Sequence, residues 1–406
     1  MTRFEPNLRI PGPTPLPPTV REAGARQMIN HRGPDFTALL LRIQAGMKPF
    51  FGTTGDVVIL TTAGTGGLEA AIVNTLSPGD RVLGVSIGAF GDRFASIAEA
   101  YGASVDRMAA EWGWAAAPDE VRERLAAGGS GNGSGGYKAV LLTHNETSTG
   151  VMNPLPELVA AVRAVAPETL ILVDSVSALG AVPFEMDAWG VDLVVTGSQK
   201  AWMAAPGMAM VAASDRAWAA METARMPRFY LDLRKHRASL ANGETPWTPA
   251  ISVAYQVDEG VRLMNEEGPA AVFARHAACA AATRAGLEAL DFELFAEPAH
   301  RSLTVTAAHV PDGLDWKSFN GALRARGAIV AGGQGKLSGK VFRVGHLGAV
   351  AVDDILGLMS TLEEVSLELG RDVIPGRAVS EAERAALQVE RGATGHPAHG
   401  VGAAAG

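Results

Sequence analysis

Short apolar runs alternate with longer amphipathic segments over most of the chain, and this alternation is its strongest structural signal. Two runs, 169–175 and 191–197, are almost continuously apolar. Runs of this kind are typical of parallel strands that are covered on both faces. We therefore expect an α/β domain with a doubly wound, mostly parallel sheet. The predicted strands are 56–62, 81–87, 138–144, 169–175 and 191–197, and the predicted helices are 66–76, 92–102 and 154–166.

The pattern changes past residue 255, where a long helical region extends to about residue 290. Short strands and two amphipathic helices follow it, which predicts a smaller C-terminal α+β domain. The predicted strands there are 292–297, 303–310, 328–333 and 340–347, and the predicted helices are 315–327 and 352–370.

Composition shifts mark the predicted boundaries between these parts. Residues 1–18 are rich in proline and are expected to form an extended arm. The large domain is predicted to span 19–267 and the small domain 268–375. Residues 376–406 carry many glycines and alanines and are expected to form a mobile tail, and the glycine-rich stretch 126–138 is expected to be a surface loop.

Charge and cysteine content narrow the classes of function. The formal net charge of −8 argues against a nucleic-acid or anionic membrane surface as the partner. The single cysteine, Cys279, excludes an intrachain disulfide framework and a cysteine-rich metal site. No apolar run reaches membrane-spanning length, and the N-terminus lacks the apolar core of a signal peptide. We expect a cytoplasmic protein without a metal.

Small and polar residues follow the predicted strands, at the edge where ligands bind in open parallel sheets. Ala63, Gly64 and Thr65 come after the first strand and open a helix whose N-terminus favours an anion, although a plain turn explains them as well. Phe90 lies between glycines after the second strand. It can stack on a planar ligand or simply belong to the core.

Charged residues mark the remaining strand ends. HNETSTG at 144–150 puts six polar residues directly after a buried strand. Asp174 ends another strand and is either a helix cap or the partner of a cationic ligand group. Lys200 follows the strand 191–197, where a free ammonium is costly to bury. Arg343 lies within an apolar strand and suits either a substrate carboxylate or a structural ion pair.

Together these features describe one kind of site. An anion cradle, an aromatic plate, a buried aspartate, a lysine and a carboxylate-binding arginine are what a pyridoxal 5′-phosphate site requires. The sequence also resembles the class V aminotransferases of fold type I, within them the alanine–glyoxylate and serine–glyoxylate group. The motifs that carry the resemblance over roughly residues 8–370 are PGPTPLPP (11–18), HRGPDF (31–36), AGTGGLEA (63–70), HNETSTG (144–150), VDSVSALG (173–180), GSQKAWMAAPG (197–207), TPAIS (248–252) and FRVGHLG (342–348).

The resemblance implies a role for each matching residue. Lys200 would be the Schiff-base lysine, and Asp174 would pair with the pyridine nitrogen of the cofactor. Arg343 would hold the α-carboxylate of the substrate. The other implied cofactor contacts are Ala63, Gly64, Thr65, Phe90, Thr147, Ser175, Val176 and Gln199, with Thr248 reaching the phosphate of the neighbouring subunit. Gly12 and Thr147 would also contact the substrate.

Three positions depart from the family pattern. Ala63 stands where serine is common, Phe90 where many relatives have tryptophan, and Thr245 where some have a tyrosine that binds phosphate. The resemblance nevertheless implies a homodimeric aminotransferase with shared active sites. It would move an amino group from serine or alanine to glyoxylate or pyruvate by a ping-pong mechanism.

Three alternatives stay open at this point. Arg32 in HRGPDF is a candidate for a second carboxylate, which would shift the donor towards aspartate. A class V lyase such as a cysteine desulfurase needs a cysteine on a mobile loop, whereas Cys279 lies in a predicted helix. A scaffold without catalysis would have no use for Lys200, Asp174 and Arg343 together.

Overall fold

The computed structural model describes residues 5–128 and 136–394. A seven-stranded sheet, with helices on both faces, forms the larger part, and a three-stranded antiparallel sheet forms the smaller one. The strands are β1 (Asn7–Leu8), β2 (Val57–Leu60), β3 (Arg81–Ser86), β4 (Ser104–Ala109), β5 (Ala139–Thr143), β6 (Asn145–Glu146), β7 (Val151–Met152), β8 (Leu170–Asp174), β9 (Leu193–Gly197), β10 (Ala209–Ala213), β11 (Val305–His309), β12 (Ala328–Ile329), β13 (Ala331–Gly332) and β14 (Val341–Gly345). The α-helices are α1 (Pro18–Gly24), α2 (Pro34–Phe51), α3 (Gly64–Thr75), α4 (Ala89–Ala100), α5 (Pro118–Ala127), α6 (Leu155–Val165), α7 (Met186–Trp189), α8 (Asp215–Thr223), α9 (Leu233–Leu240), α10 (Ile251–Glu267), α11 (Pro269–Ala289), α12 (Trp316–Ala325), α13 (Val352–Glu368) and α14 (Arg377–Thr394).

The large sheet has the strand order β2-β10-β9-β8-β5-β3-β4, and only β10 runs against the others. Apolar side chains cover both of its faces: Val57 and Ile59 enter one hydrophobic core, and Val58 and Leu60 enter the other. This double burial explains the continuous apolar runs in the sequence. The five strands predicted for this domain, and the α/β fold class, are confirmed.

Strand β10 was not predicted, although it completes the sheet between β2 and β9. Its sequence is a five-residue run of small apolar residues, AMVAA, which periodicity alone does not separate from a helix. The long helical region past residue 255 is in fact two helices, α10 and α11, separated by Gly268.

The small sheet has the order β11-β14-β13, with α11, α12 and α13 packed around it. The prediction of a strand at 292–297 is wrong, because only Leu294 forms a bridge there, with Ala308. The predicted strand 328–333 is split into β12 and β13, which belong to different sheets. The boundary at 267/268 between the domains stays a prediction.

The prediction of a mobile tail at 376–406 is wrong for most of its length. Helix α14 packs along α11, and its buried face repeats every fourth residue at Ala378, Ala382 and Ala386. These small side chains allow the two helices a close approach, so a stretch with little apolar bulk still forms part of the core. Residues 395–406 of the predicted tail, and 129–135 of the predicted loop, lie outside the described residues.

The N-terminal arm is tied to the small domain. Strand β1 pairs in parallel with β12, and the Arg9 carbonyl accepts a hydrogen bond of 2.8 Å from the Gly345 amide. The Thr14 amide donates a hydrogen bond of 3.1 Å to the Gln199 carbonyl, so the arm passes from the small sheet to the end of β9 in the large one. Among the helices of the described residues, no candidate for a membrane span is found.

Candidate active site

The carboxyl ends of β2, β3, β5, β8 and β9 meet at one edge of the large sheet and enclose a cleft, here called the inner cleft. Its empty volume is about 560 Å³, its open mouth included. The inner cleft is lined by Ala63, Gly64, Thr65, Leu68, Phe90, Arg93, Asn145, Thr147, Asp174, Val176, Ser177, Gln199 and Lys200. The topology thus brings together nine residues that the sequence analysis assigned to one site.

The N-terminus of α3 forms one end of the inner cleft. Ala63 is its N-cap residue and has no side-chain oxygen to accept a hydrogen bond from the first turn. A Cβ on Gly64 would lie 2.8 Å from Cγ2 of Val176, so only glycine fits this close approach. The first amide groups of α3, together with the helix dipole, therefore offer a site for an anion.

Asp174 is the last residue of β8 and is buried, with 5% of its surface exposed. Its Oδ1 accepts a hydrogen bond of 3.0 Å from the Val176 amide. Burial raises the pKa of this carboxyl to about 6, and the amide and the nearby Lys200 ammonium oppose the rise. A cation placed against the carboxyl would lower its pKa again.

Lys200 follows β9 and projects beneath the N-terminal arm, where its Nζ donates a hydrogen bond to the Pro11 carbonyl. Burial lowers the pKa of this ammonium to about 8, and the Asp174 carboxylate opposes the shift. The Thr14 hydroxyl donates to the Lys200 carbonyl at 2.9 Å and fixes the arm over it. Near pH 8, a substantial fraction of the protein molecules therefore carries Lys200 as a neutral amine.

Phe90 forms a wall of the inner cleft at the start of α4. The buried Glu146 anchors it, because Oε2 accepts hydrogen bonds of 3.0 Å from the amides of both Phe90 and Gly91. The other carboxylate oxygen accepts from the Ser148 amide at 3.0 Å and from its hydroxyl at 2.6 Å. Burial raises the pKa of Glu146, and these four donors oppose the rise.

Arg343 lies in the central strand of the small sheet, with 6% of its surface exposed. Its Nε donates to the Gly332 carbonyl at 2.9 Å and its Nη1 donates to the Thr147 carbonyl at 3.0 Å. Burial lowers the pKa of the guanidinium to about 10, so it remains charged at neutral pH. Within residues 5–128 and 136–394 it forms no ion pair, which leaves N–H groups for an external carboxylate.

A second cleft adjoins the first, and we call it the outer cleft. It is lined by Ile10, Pro11, Gly12, Phe90, Thr147, Lys200, Trp316, Asn320, Arg324, Val330, Ala331, Gly332, Gln334 and Arg343. Phe90, Thr147 and Lys200 line both clefts. Gly12 and Arg343, the two residues predicted to contact the substrate beside Thr147, therefore adjoin the predicted cofactor site.

Two predicted cofactor contacts do not line either cleft. Ser175 is buried, and its hydroxyl is 3.0 Å from Nδ1 of the core residue His144. Thr248 is exposed on the surface of this chain. Arg32, the candidate for a second carboxylate, pairs at 2.7 Å with Glu244 and donates to the Thr245 carbonyl at 2.6 Å.

Several residues of the inner cleft were missed by the sequence analysis. Arg93 places its Cζ 4.6 Å from the centroid of the Phe90 ring, and the side chains of Asn145 and Ser177 are joined by a hydrogen bond of 2.8 Å. They lie in stretches that were singled out because they follow strands, but only the fold shows which side chains face the cleft. The role of Glu146 is harder still to recognise from the sequence, because Glu146 acts by accepting hydrogen bonds from backbone amides.

The family model described as aminotransferase class-V matches residues 18–350 of this chain. The chain is 41% identical to the small subunit of a soluble hydrogenase of Synechococcus, over 93% of this chain and 97% of that protein. It is 37% identical to the L-aspartate–glyoxylate aminotransferase of Paracoccus denitrificans, over 92% of this chain and 94% of that protein.

The fold has a close counterpart among solved structures. The alanine–glyoxylate aminotransferase of Nostoc superposes on this chain with a TM-score of 0.84 and 32% sequence identity. The superposition covers 90% of this chain and 96% of that one. The likeness in fold therefore extends over most of both chains.

Proposed function

The chain belongs to the class-V aminotransferases, whose cofactor is pyridoxal 5′-phosphate, and we propose that it transfers an amino group from a small amino acid to glyoxylate or pyruvate. Serine and alanine are the donors that the sequence motifs favour, and the name of the Paracoccus relative adds aspartate. The single observation that carries this proposal is the geometry of the site. Lys200 and Asp174 share a cleft with a helix N-terminus, next to the guanidinium of Arg343, which forms no ion pair with any described residue.

The residues of the inner cleft fit the cofactor. The open first turn of α3 suits its phosphate, and Asp174 suits a protonated ring nitrogen. Phe90 offers an aromatic face, and Oε1 of Gln199 is buried without a hydrogen-bond partner among the described residues. Such an atom is costly to leave unpaired, and a donor on a bound group relieves that cost.

Bound pyridoxal phosphate supplies an electron sink that stabilises the electron pair left when the substrate Cα loses its proton. Lys200 would hold the cofactor covalently between turnovers. Its amine, with a pKa near 8, is suited to accept the Cα proton of the amino donor and, in the second half-reaction, to give a proton to the Cα of the acceptor. Asp174 would keep a proton on the ring nitrogen, and Arg343 would orient the substrate through its α-carboxylate.

A ping-pong order follows from the small number of carboxylate sites. Donor and acceptor each carry an α-carboxylate, and Arg343 is the buried cation that suits it. If both substrates use the same site, the donor leaves as its 2-oxo acid before the acceptor binds.

Two other reactions lack the residues they need. Cysteine desulfurase chemistry requires a reactive cysteine beside the cofactor, but Cys279 is buried in α11 and burial raises the pKa of its thiol to about 12. A hydrogenase function, which the name of the Synechococcus relative suggests for that protein, finds no support in a cleft of lysine, aspartate and arginine side chains.

The first experiment is a half-reaction screen by absorbance. Cofactor-loaded protein is mixed with serine, alanine or aspartate in turn, without an acceptor, and the visible absorbance of the cofactor is followed. We expect at least one donor to bleach it and glyoxylate to restore it. Lys200→Ala should slow this step by roughly a thousandfold or more, because proton transfer by a positioned base contributes about 10²–10⁴-fold, whereas the exposed Lys317→Ala should leave it unchanged. Unaltered rates in Lys200→Ala, or no bleaching by serine, alanine or aspartate, would refute the assignment.

We further propose that the active form is a homodimer in which each cofactor site borrows Thr248 from its partner. Thr248 is exposed and follows the half-buried Trp247, which packs against the exposed rings of Phe229 and Tyr230. Phe229 is 67% exposed, and its ring stacks on Trp247 with centroids 4.8 Å apart. Exposed apolar patches of this kind mark protein–protein contacts.

A heterodimer tests the shared site. One chain carries Thr248→Ala and the other Lys200→Ala, and two different affinity tags isolate the mixed species. If sites are shared, one of the two contains both native residues and the heterodimer has about half of the native activity. Activity no higher than the mean of the two variant homodimers would contradict sharing. We also propose a cytoplasmic location, which the lone, buried Cys279 suits, and cell fractionation tests it.

A further inference from the structure

Helix α12 presents a polar face to the outer cleft. Trp316, Asn320 and Arg324 lie four residues apart and all line this cleft. Phe319 and Leu323, between them in sequence, are buried in the core of the small domain. The helix therefore packs by one face and presents a tryptophan, an amide and a guanidinium to the outer cleft.

Arg324 is exposed and has no ion-pair partner in the part of the chain that the structure describes. Its neighbour Arg326, the C-cap residue of α12, pairs with Glu364 at 3.4 Å and with Glu368 at 2.5 Å. Both residues lie at the C-terminal end of α12, where a cation gains a little from the helix dipole. Only Arg324 keeps its guanidinium available at the cleft.

Two buried amide oxygens in the outer cleft also lack a partner. Neither Oδ1 of Asn320 nor Oε1 of Gln334 accepts a hydrogen bond from any described residue. A half-turn of either amide offers its NH₂ group as a donor instead. Both side chains can therefore form a hydrogen bond with a bound ligand, and this bond lowers the free-energy cost of burying the amides.

The charged side chains that line the outer cleft are all positive. Arg324, Arg343 and Lys200 line the outer cleft, and no aspartate or glutamate is among its lining residues in the described chain. Arg343 already suits the α-carboxylate of the substrate, so the second guanidinium is left for another anionic group on the same molecule.

We propose that Arg324, Asn320 and Gln334 form a subsite for the side-chain carboxylate of the substrate, so that the preferred amino donor is a dicarboxylic amino acid of the size of aspartate. This inference rests on the function proposed above and names its substrate class. It also replaces Arg32 as the second carboxylate site, because that guanidinium is paired with Glu244.

The first test uses ligands that cannot react. Succinate has the two carboxylates of aspartate without an amino group, and propionate has only one. Calorimetric titration should show tighter binding of succinate to the native protein. Arg324→Gln should weaken succinate roughly ten- to a hundredfold, because a hydrogen bond to a charged group is worth about that factor, and should leave propionate unchanged. Arg326→Gln is the matched control and should alter neither.

The second test measures the half-reaction with aspartate and alanine. Arg324→Gln should lower kcat/KM for aspartate through KM and leave kcat/KM for alanine as in the native enzyme. Equal binding of succinate and propionate, or an aspartate-to-alanine ratio that does not respond to Arg324→Gln, would overturn the subsite while transamination stands. If succinate binding depends on Arg324 but no amino acid reacts, the proposed function fails and the dicarboxylate site remains.

Discussion

The inner and outer clefts share three residues but are built in different ways. The inner cleft takes its side chains from the ends of five strands in one sheet, with both faces of that sheet buried. The outer cleft is assembled from the N-terminal arm, α12 and the strands β13 and β14. A single rigid sheet can hold chemical groups in fixed positions, whereas an assembled cleft varies more easily in what it admits.

The electrostatics follow this division. Asp174 and Lys200 in the inner cleft are both shifted towards their neutral forms by burial. Arg343, in the outer cleft, remains charged at neutral pH despite its burial, and Arg324 is exposed. The inner cleft thus stores groups that exchange protons, and the outer cleft presents fixed positive charge to anions.

The most demanding test of this comparison is how the free energy of unfolding of the cofactor-free protein depends on pH. Burial raises the pKa of Asp174 from 3.8 to about 6 in the folded chain. The folded chain holds this proton more tightly than the unfolded chain does. The resulting contribution to the free energy of unfolding is therefore complete below about pH 4 and is lost as the pH rises through 6. At pH 8 the Asp174→Asn variant should have a free energy of unfolding about 3 kcal/mol higher than the native chain, and the difference should vanish near pH 4.

Urea unfolding of the cofactor-free proteins at pH 4, 6 and 8 measures this difference. The exposed Asp312→Asn is the control and should show no such trend. Added pyridoxal phosphate should favour the native chain at pH 8, because only Asp174 can pair with a charged ring nitrogen. A native chain as stable as Asp174→Asn at every pH would mean that the inner cleft is already hydrated and does not destabilise charge.

The same division explains what could be predicted from the sequence. Strands β5, β8 and β9 are apolar except near their carboxyl ends, because the sheet is covered on both faces, so these ends and the residues after them stand out. Asp174 and Lys200 were identified in this way, whereas Gln199 was assigned through the family resemblance. Ser175 was assigned to the cofactor through the family resemblance, but its hydroxyl faces His144 instead.

The outer cleft left few signals in the sequence. Arg343 stood out as a charge in an apolar strand, but Arg324 occupies an ordinary exposed position of an amphipathic helix. Its position at the outer cleft, which Arg343 also lines, depends on how α12 packs over the small sheet, and local patterns do not encode this packing. Helix α14 was missed for a related reason, since alanines at every fourth position become a core only against the small residues of α11.

Gly12 lines the outer cleft and adjoins Lys200, which lines both clefts. A substitution at Gly12 therefore tests how independent the two clefts are. Its φ is +121°, and a Cβ there would lie 2.7 Å from Nζ of Lys200. Gly12→Ala should strain the arm and displace the lysine, which slows the half-reaction by about tenfold, since strain of about 1–3 kcal/mol is typical of such positions. Stopped-flow absorbance with saturating donor measures this rate separately from KM.

Gly321→Ala is the matched control, because a Cβ at Gly321 on the exposed side of α12 has no neighbour within 4 Å. Alanine there should stabilise the helix by up to about 1 kcal/mol and leave the rate unchanged. If Gly12→Ala raises KM alone, the arm shapes only the outer cleft and the two regions function separately. If it lowers the rate at saturation, the arm that bounds the substrate also positions the lysine, and selectivity and chemistry are coupled through Gly12.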